Sequence, residues 1–375
     1  MSKQQKIWPR AVELLKEEQP RRPVLFFSAA VLRQTVARFL RGFDGLVSYA
    51  VKANDNPVVL QCLLQAGITA FDVASPAEMR GLRKLSADAA LHYNNPVRSP
   101  HEIQVARKLG VVSYAVDGMS ELEKLARGMS PDGVEVAVRL HLPVVGAAWD
   151  FGEKFGERPK GAVKLLRAVA ETGFTPSVVV HPGTQGTRPE AWQAYIEPCA
   201  EVAHSAGVRL ARLNVGGGFP SHRRGEVPDL EAIFQLIHRT RDRVFGADAP
   251  LLVCEPGRAL VAESCMLATQ IKSVRECGSI FLNDGVYGSL AEAPLLGSVD
   301  RVVAVRPDGR LHRGPRVERR VFGPTCDSID SLPEPLMLPE TLEEDDYVLF
   351  KGMGAYSTAT MTRFNGFGAL RVLPL

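Results

Sequence analysis

Short runs of apolar, β-prone residues alternate with amphipathic stretches from about residue 24 to residue 255. The strand candidates are VLFFS (24–28), LVSYAVKA (46–53), TAFDVA (69–74), LHYNN (91–95), SYAVD (113–117), VEVAVRLHL (134–142), SVVVH (177–181), ARLNVG (211–216) and LLVCEP (251–256). Helical patterns such as SPAEMRGLRKL (75–85) and MSELEKLARGM (119–129) separate most of them. A strand covered on both faces has no reason to alternate polar with apolar, and intervening helices supply that cover in a parallel sheet. About eight such units over about 230 residues favour a (β/α)8 barrel over an open sheet. From about residue 257 the alternation stops, and MLATQIKSVRE (266–276), SIFLND (279–284), RVVAVRP (301–307), RRVFGP (319–324) and DYVLFKGM (346–353) read as strands joined by turns. The pattern predicts an α/β chain: a barrel over 24–256, then a C-terminal all-β domain, 257–375, joined by a helical N-terminal stretch, 1–23.

The barrel reading gives the strand ends a meaning. Lys52, Asp72, Asn94, Asp117, Arg139, His181, Asn214 and Glu255 all fall at C-terminal ends of candidate strands. In a barrel those ends converge on one face, where active sites are built. Lys52 poses the sharpest question, because it closes an apolar run and is followed at once by Asn-Asp-Asn-Pro. A lysine at a strand end ordinarily snorkels into water. An amine held there and partly desolvated is instead a Schiff-base lysine.

Composition removes several classes of function. The chain has 375 residues, 45% hydrophobic and 23% charged, which suits a soluble enzyme of one large domain and a second. Its 45 Lys+Arg against 42 Asp+Glu leave a formal charge of +3, with no field suited to nucleic acid or an anionic membrane. The six cysteines (Cys62, Cys199, Cys254, Cys265, Cys277, Cys326) stand singly without zinc-site spacing, so no metal is expected. The polar start of the chain has no signal-peptide core, and no apolar run nears the roughly 20 residues of a membrane span. The expectation is a cytoplasmic protein with free thiols.

Several short motifs carry candidate chemistry. LNVGGGFP (213–220) puts Gly216, Gly217 and Gly218 directly after a strand, where backbone N–H groups can approach a phosphate. It is neither a GxGxxG fingerprint nor a Walker loop. CEPGRAL (254–260) sets Glu255 at a strand end, three residues before Arg258. A carboxylate there can face a protonated pyridine nitrogen and an arginine can hold a phosphate; an ordinary Glu–Arg pair around a turn is the plain alternative. VVVHPGTQG (178–186) presents His181, whose imidazole can stack on an aromatic cofactor or serve only the structure. FGPTCDSID (322–330) carries Cys326 and Asp327, and MGAYSTATMTRFNGFG (353–368) carries Tyr356.

In order along the chain, YAVKAN, FDVASPAEM, FGEKFG, LNVGGGFP, CEPGRA, NDGVYGS, FGPTCDSID and MGAYSTATMTRFNGF resemble the ornithine/lysine decarboxylase-like group of fold-type III enzymes, which share the alanine racemase-like barrel and depend on pyridoxal 5′-phosphate. The resemblance covers about residues 24–368. It implies a pyridoxal-phosphate barrel with a β domain that completes the active site across a homodimer with shared sites. Lys52 matches the lysine that carries the cofactor as an aldimine, Asp72 the carboxylate close to it, and Arg139 a barrel arginine near it. His181 matches the stacking ring. Gly216, Gly217 and Gly218 match the phosphate loop, with Arg258 and Tyr356 as further phosphate ligands. Glu255 matches the partner of the pyridine nitrogen. Cys326 matches the proton donor to the carbanion, and Asp327 the group that attracts a distal substrate amine. The implied reaction is decarboxylation of an amino acid with an amine-bearing side chain, ornithine or lysine first, in polyamine biosynthesis.

Three departures bear on the substrate. After NDGVYGS, ornithine decarboxylases carry a Tyr-Asp pair that helps to bind the distal ammonium, whereas counting from Tyr287 places Leu295 and Leu296 there. Leucine cannot pair with a buried ammonium. Either Asp327 binds the amine, alone or with Glu292, or the substrate is a larger conjugated amino acid of a siderophore or antibiotic pathway. Thr184 stands for a serine, and Asn214 for a more usual acidic residue. An alanine-type racemase is argued against by the Cys326-Asp327 motif. A non-catalytic regulatory homologue is the remaining alternative.

Overall fold

The computed structural model describes residues 8–142 and 154–375. Two compact units divide the chain: 33–220 with 228–259, and the chain up to Leu32 with 221–227 and 260–375. The first strand, β1 (Val24–Phe27), belongs to the second of these.

The larger unit is a closed barrel of eight parallel strands: β2 (Leu46–Ala50), β3 (Ala70–Asp72), β4 (Ala90–Tyr93), β5 (Val111–Val116), β6 (Glu135–Arg139), β7 (Thr175–Val179), β8 (Arg212–Asn214) and β9 (Leu251–Cys254). It closes where β2 pairs with β9, Leu46 opposite Val253 and Val47 opposite Cys254. Apolar runs fill most of the wall: Leu91, Tyr93, Leu252, Val253 and Cys254 are buried, as is His92, while Leu251 at the start of β9 is exposed. Helices follow the strands, and their starts are written locally. Asn56, Ser75 and Ser99 each cap a helix that begins with proline, so the first N–H that a helix cannot use is absent anyway. At Ser99 the cap is reciprocal, with Glu102 returning a bond to the Ser99 N–H.

VLFFS is the one strand candidate that leaves the barrel. β1 lies between β10 (Cys265–Val274), antiparallel to it, and β17 (Arg371–Pro374), parallel to it, in a seven-stranded sheet. All four residues of β1 are buried, so its apolar run looks the same as that of a barrel strand. The helix that follows it, α2 (Ala29–Gly42), completes the imitation of a β/α unit. The N-terminal helix α1 (Pro9–Glu18) docks Ala11 and Leu15 into a core with Val24, Phe26, Met266, Ala268, Val305, Tyr347 and Leu349. The β unit also contains the anticipated strands at Ile280–Leu282, Val302–Val305, Val321–Phe322 and Tyr347–Lys351, while those at Arg316–Arg319, Leu336–Pro339 and Arg371–Pro374 have no counterpart in the sequence pattern.

Candidate active site

Lys52 sits on a single 3₁₀ turn, Val51–Ala53, immediately after β2. The turn is fixed from both sides: the Asn54 N–H donates to Val51 O at 3.0 Å, and the Tyr49 hydroxyl donates to Asn54 O at 3.0 Å. Asn54 and Tyr49 are buried, whereas the Lys52 side chain is exposed. Lys52 is thus exposed between the buried Val51 and Ala53, and its charge acts on its neighbours Asp72, His181 and Glu255.

Those neighbours form the mouth of the barrel. Asp72 ends β3 and Glu255 follows β9; they are 7% and 6% exposed. Burial pushes the Asp72 carboxyl up, against the pull of Lys52, of Asn94 and of Arg139. Burial pushes Glu255 up to about 7, the Asp72 charge adds to this, and an Asn214 hydrogen bond, Lys52 and Arg139 act the other way. Arg139 ends β6 with its guanidinium 5.2 Å from the Phe155 ring, and burial lowers its pKa. His181 is held well below the usual imidazole range by burial, Lys52 and Arg139, so its ring is neutral at physiological pH. The plain reading of Glu255 and Arg258 as a surface pair fails, because both are buried.

Two amides that the pattern reading left without a role organise this cluster. The Asn94 and Asn214 side-chain amides each donate to Glu255 Oε1 at 2.5 Å. Asn94 also donates to Asp72 from its backbone and its side chain. The Asn214 carbonyl oxygen accepts the Gly216 N–H at 2.9 Å. The only hint in the sequence was that both asparagines lie at strand ends.

The glycine loop must be glycine. Gly216 and Gly218 have φ of 71° and 82°, in the left-handed region. A Cβ at Gly217 would come within 2.8 Å of Glu255 O and 3.3 Å of His181 Nε2. Phe219 anchors the loop from behind, its ring centroid 5.6 Å from Phe39, 5.8 Å from Phe234 and 5.0 Å from Trp192. The Gly216 N–H is taken by Asn214, but those of Gly217 and Gly218 meet no protein acceptor among the described residues. A side-chain-free cradle with two such donors, beside a neutral imidazole, an amine and a carboxylate, fits a phosphorylated aromatic aldehyde. Of the FGEKFG motif, residues 151–153 lie outside the described residues.

The remaining candidates lie in the β unit. Asp330 is 2% exposed and gathers the Val286 N–H, the Thr325 N–H and the Thr325 hydroxyl, pinning the Gly323–Asp330 loop. On that loop Cys326 is exposed, and both its N–H and its thiol donate to Asn365 Oδ1, at 3.1 and 3.2 Å. Asn365 has φ 51°. The Tyr287 hydroxyl donates to Asp327 Oδ2 at 2.5 Å and holds that carboxyl below its usual range. Tyr356 is strained, with φ 60° for an aromatic residue, a cost that a folded chain tolerates mainly at functional positions. Leu296 closes a short helix, Ala293–Leu296, with Leu295 47% exposed. Glu292 lies 3.7 Å from Arg223, so its charge already faces a cation. Among the described residues no cluster of acidic, histidine or cysteine side chains could hold a metal ion, and no helix is long and apolar enough to cross a membrane.

Comparison with known proteins bears on this arrangement. The family model for the pyridoxal binding domain of pyridoxal-dependent decarboxylases matches residues 30–262. A lysine/ornithine decarboxylase of Selenomonas ruminantium is 31% identical over 330 residues, covering 86% of this chain and 81% of the relative. Decarboxylase flvG of Aspergillus flavus is 31% identical over 338 residues, covering 85% of this chain and 77% of the relative. The solved lysine/ornithine decarboxylase of Vibrio vulnificus, complexed with cadaverine, is similar with a TM-score of 0.84 and 27% identity, covering 98% of each chain.

Proposed function

Since the chain belongs to the pyridoxal-dependent decarboxylases, we propose that it removes the α-carboxylate of an amino acid with an amine-bearing side chain, ornithine or lysine first. The enzyme is an amino-acid decarboxylase and its cofactor is pyridoxal 5′-phosphate. When bound, the cofactor supplies a protonated aromatic ring that accepts the electron pair left as CO2 departs.

The chain's own residues divide the remaining work. Lys52 Nζ is the amine that would hold the cofactor's aldehyde carbon covalently. Its exposure supports this role, since an exchanging amine must be reached. Gly217 and Gly218 donate N–H groups to the phosphate, with Arg258 and Tyr356 as further ligands. His181, neutral, would be the imidazole that packs on the cofactor. Glu255 would accept from the cofactor's ring nitrogen, with Asp72 and Arg139 setting the field around it. The Cα–carboxylate bond breaks, CO2 leaves, and the proton that replaces it on Cα comes from the Cys326 thiol. Asp327, negative at neutral pH, attracts the distal ammonium. Cys326 and Asp327 do this in a homodimer, each serving the second copy; a rigid loop with Ile329 65% exposed suits such a reach.

The observation that carries this reading is the buried Asp72–Glu255 pair beside an accessible lysine and a donor-bearing glycine loop. Borohydride reduction of holoenzyme followed by peptide mass analysis tests it. The pyridoxyl tag is expected on Lys52, and a tag elsewhere overturns the assignment.

A second reading concerns only the substrate. Leu295 and Leu296 offer no charge, and Glu292 is engaged by Arg223. That leaves Asp327 as the one acidic candidate for the distal amine, which supports a larger conjugated amino acid as the alternative. Turnover assays across ornithine, lysine, arginine and diaminopimelate separate the two. Loss of all four activities in cofactor-loaded enzyme excludes the plain diamine-forming reading.

A further inference from the structure

Glu255 accepts two hydrogen bonds through one oxygen. The Asn94 and Asn214 amide nitrogens both point at Oε1, each at 2.5 Å, and neither reaches Oε2. The orientation of both amides is determined. Asn214 cannot flip, because its Oδ1 is the acceptor for the Gly216 N–H at 2.9 Å. Asn94 cannot flip either, because its side-chain amide faces two carboxyl groups, those of Asp72 and Glu255, which need a donor. Glu255 is tied a second time to the same loop, its N–H donating to Gly216 O at 2.8 Å. The groups facing Glu255 are thus Asp72, Lys52 and Arg139 by charge, and the two asparagines by contact.

We infer that Asn94 and Asn214 are positioning residues for the cofactor's ring nitrogen. By saturating Oε1 as donors they keep the Glu255 proton off and leave Oε2 as the oxygen that meets that nitrogen. Asn214 further locks this acceptor to the phosphate-binding loop, so the two ends of the cofactor are held in one register. The inference rests on the reading of Glu255 given above. The amide at 214 does this differently from the acidic residue that is more usual there. An acid at 214 would set a third carboxyl group against Glu255 at hydrogen-bond distance, and the pair would have to hold a proton between them. An apolar residue would leave the buried carboxylate short of a donor, which favours its protonated form and takes the proton from the ring.

The test reads the ring nitrogen itself. Holoenzyme loaded with ¹⁵N-labelled pyridoxal phosphate is titrated between about pH 6 and pH 9 and followed by NMR. Wild type is expected to keep the protonated-nitrogen shift over most of that range. N214L and N94L are each expected to lose it at least about one pH unit earlier, a tenfold weaker hold on the proton. E255Q is expected to lose it throughout. If E255Q loses it while both leucine variants titrate as wild type, the asparagines are merely structural and the inference falls. If E255Q also titrates as wild type, the assignment of Glu255 itself falls. Should the leucine variants not retain cofactor, N214S and N94S, which remove the amide with less disturbance, read the same midpoint. An unshifted midpoint there overturns the inference equally.

Discussion

The barrel mouth and the Cys326 loop bear similar residues in opposite settings. Asp72 and Glu255 are buried and pushed toward their neutral forms by desolvation. Asp327 is half-buried on its loop and is pulled the other way by a tyrosine hydroxyl. Carboxyl groups placed by a closed barrel are governed by what surrounds them on all sides. Those placed on a loop are governed by one or two hydrogen bonds to chosen neighbours. The first arrangement stores electrostatic stress for a cofactor to relieve; the second keeps a charge ready for a mobile substrate.

Removing the amine at the mouth should have the largest effect on this contrast. Lys52→Ala is expected to lower kcat/KM by more than about a hundredfold and to abolish the borohydride-trapped adduct. Activity of about a tenth of wild type or more would remove Lys52 from its role. On the loop, Cys326→Ala is expected to slow turnover by about ten- to a hundredfold while cofactor stays bound, measured by absorbance and steady-state rate. Loss of cofactor instead would mean that the thiol belongs to the cofactor's binding machinery.

The third prediction concerns stability. Glu255 has its carboxyl raised from 4.5 to about 7 in the folded chain, so its contribution to stability is present in full below about pH 4.5 and lost as pH rises through about 7. Thermal melts of cofactor-free protein should therefore show wild type losing ground to Glu255→Gln across that window, with a constant gap above it. A gap that does not change with pH would show that Glu255 is not titrating there. The smallest effect is expected at the loop: Tyr287→Phe should raise KM by about three- to tenfold with kcat nearly unchanged, because one hydrogen bond to the Asp327 carboxylate is lost. An unchanged KM would separate Asp327 from substrate binding.

The two regions were also unequally legible in the sequence. Eight barrel strands and the candidate residues at their ends follow from periodicity and from the geometry that gathers strand ends. β1 misled for a physical reason: a strand with neighbours and cover on both sides carries the same apolar run in any sheet. Asn94 and Asn214 were visible as strand-end residues, but their task was not. An uncharged amide has no titration to betray it, and its partner Glu255 lies 161 and 41 positions away until the barrel closes. Asn365 was hidden likewise, 39 positions from the thiol it holds. Lys52 falls on the tight turn after β2, where it is exposed while Val51 and Ala53 are buried, a contrast that the apolar run alone does not reveal.

The pairing of β1 with β17 has a consequence for synthesis. All eight barrel strands lie between Leu46 and Cys254, so every one of them has left the ribosome while the C-terminal third of the chain is still being made. β1 emerges before any of them, yet one of its edges waits for Arg371–Pro374. Its unpaired backbone is exposed until that distant segment has been made, which makes Val24–Phe27 the segment where premature pairing between nascent chains would begin.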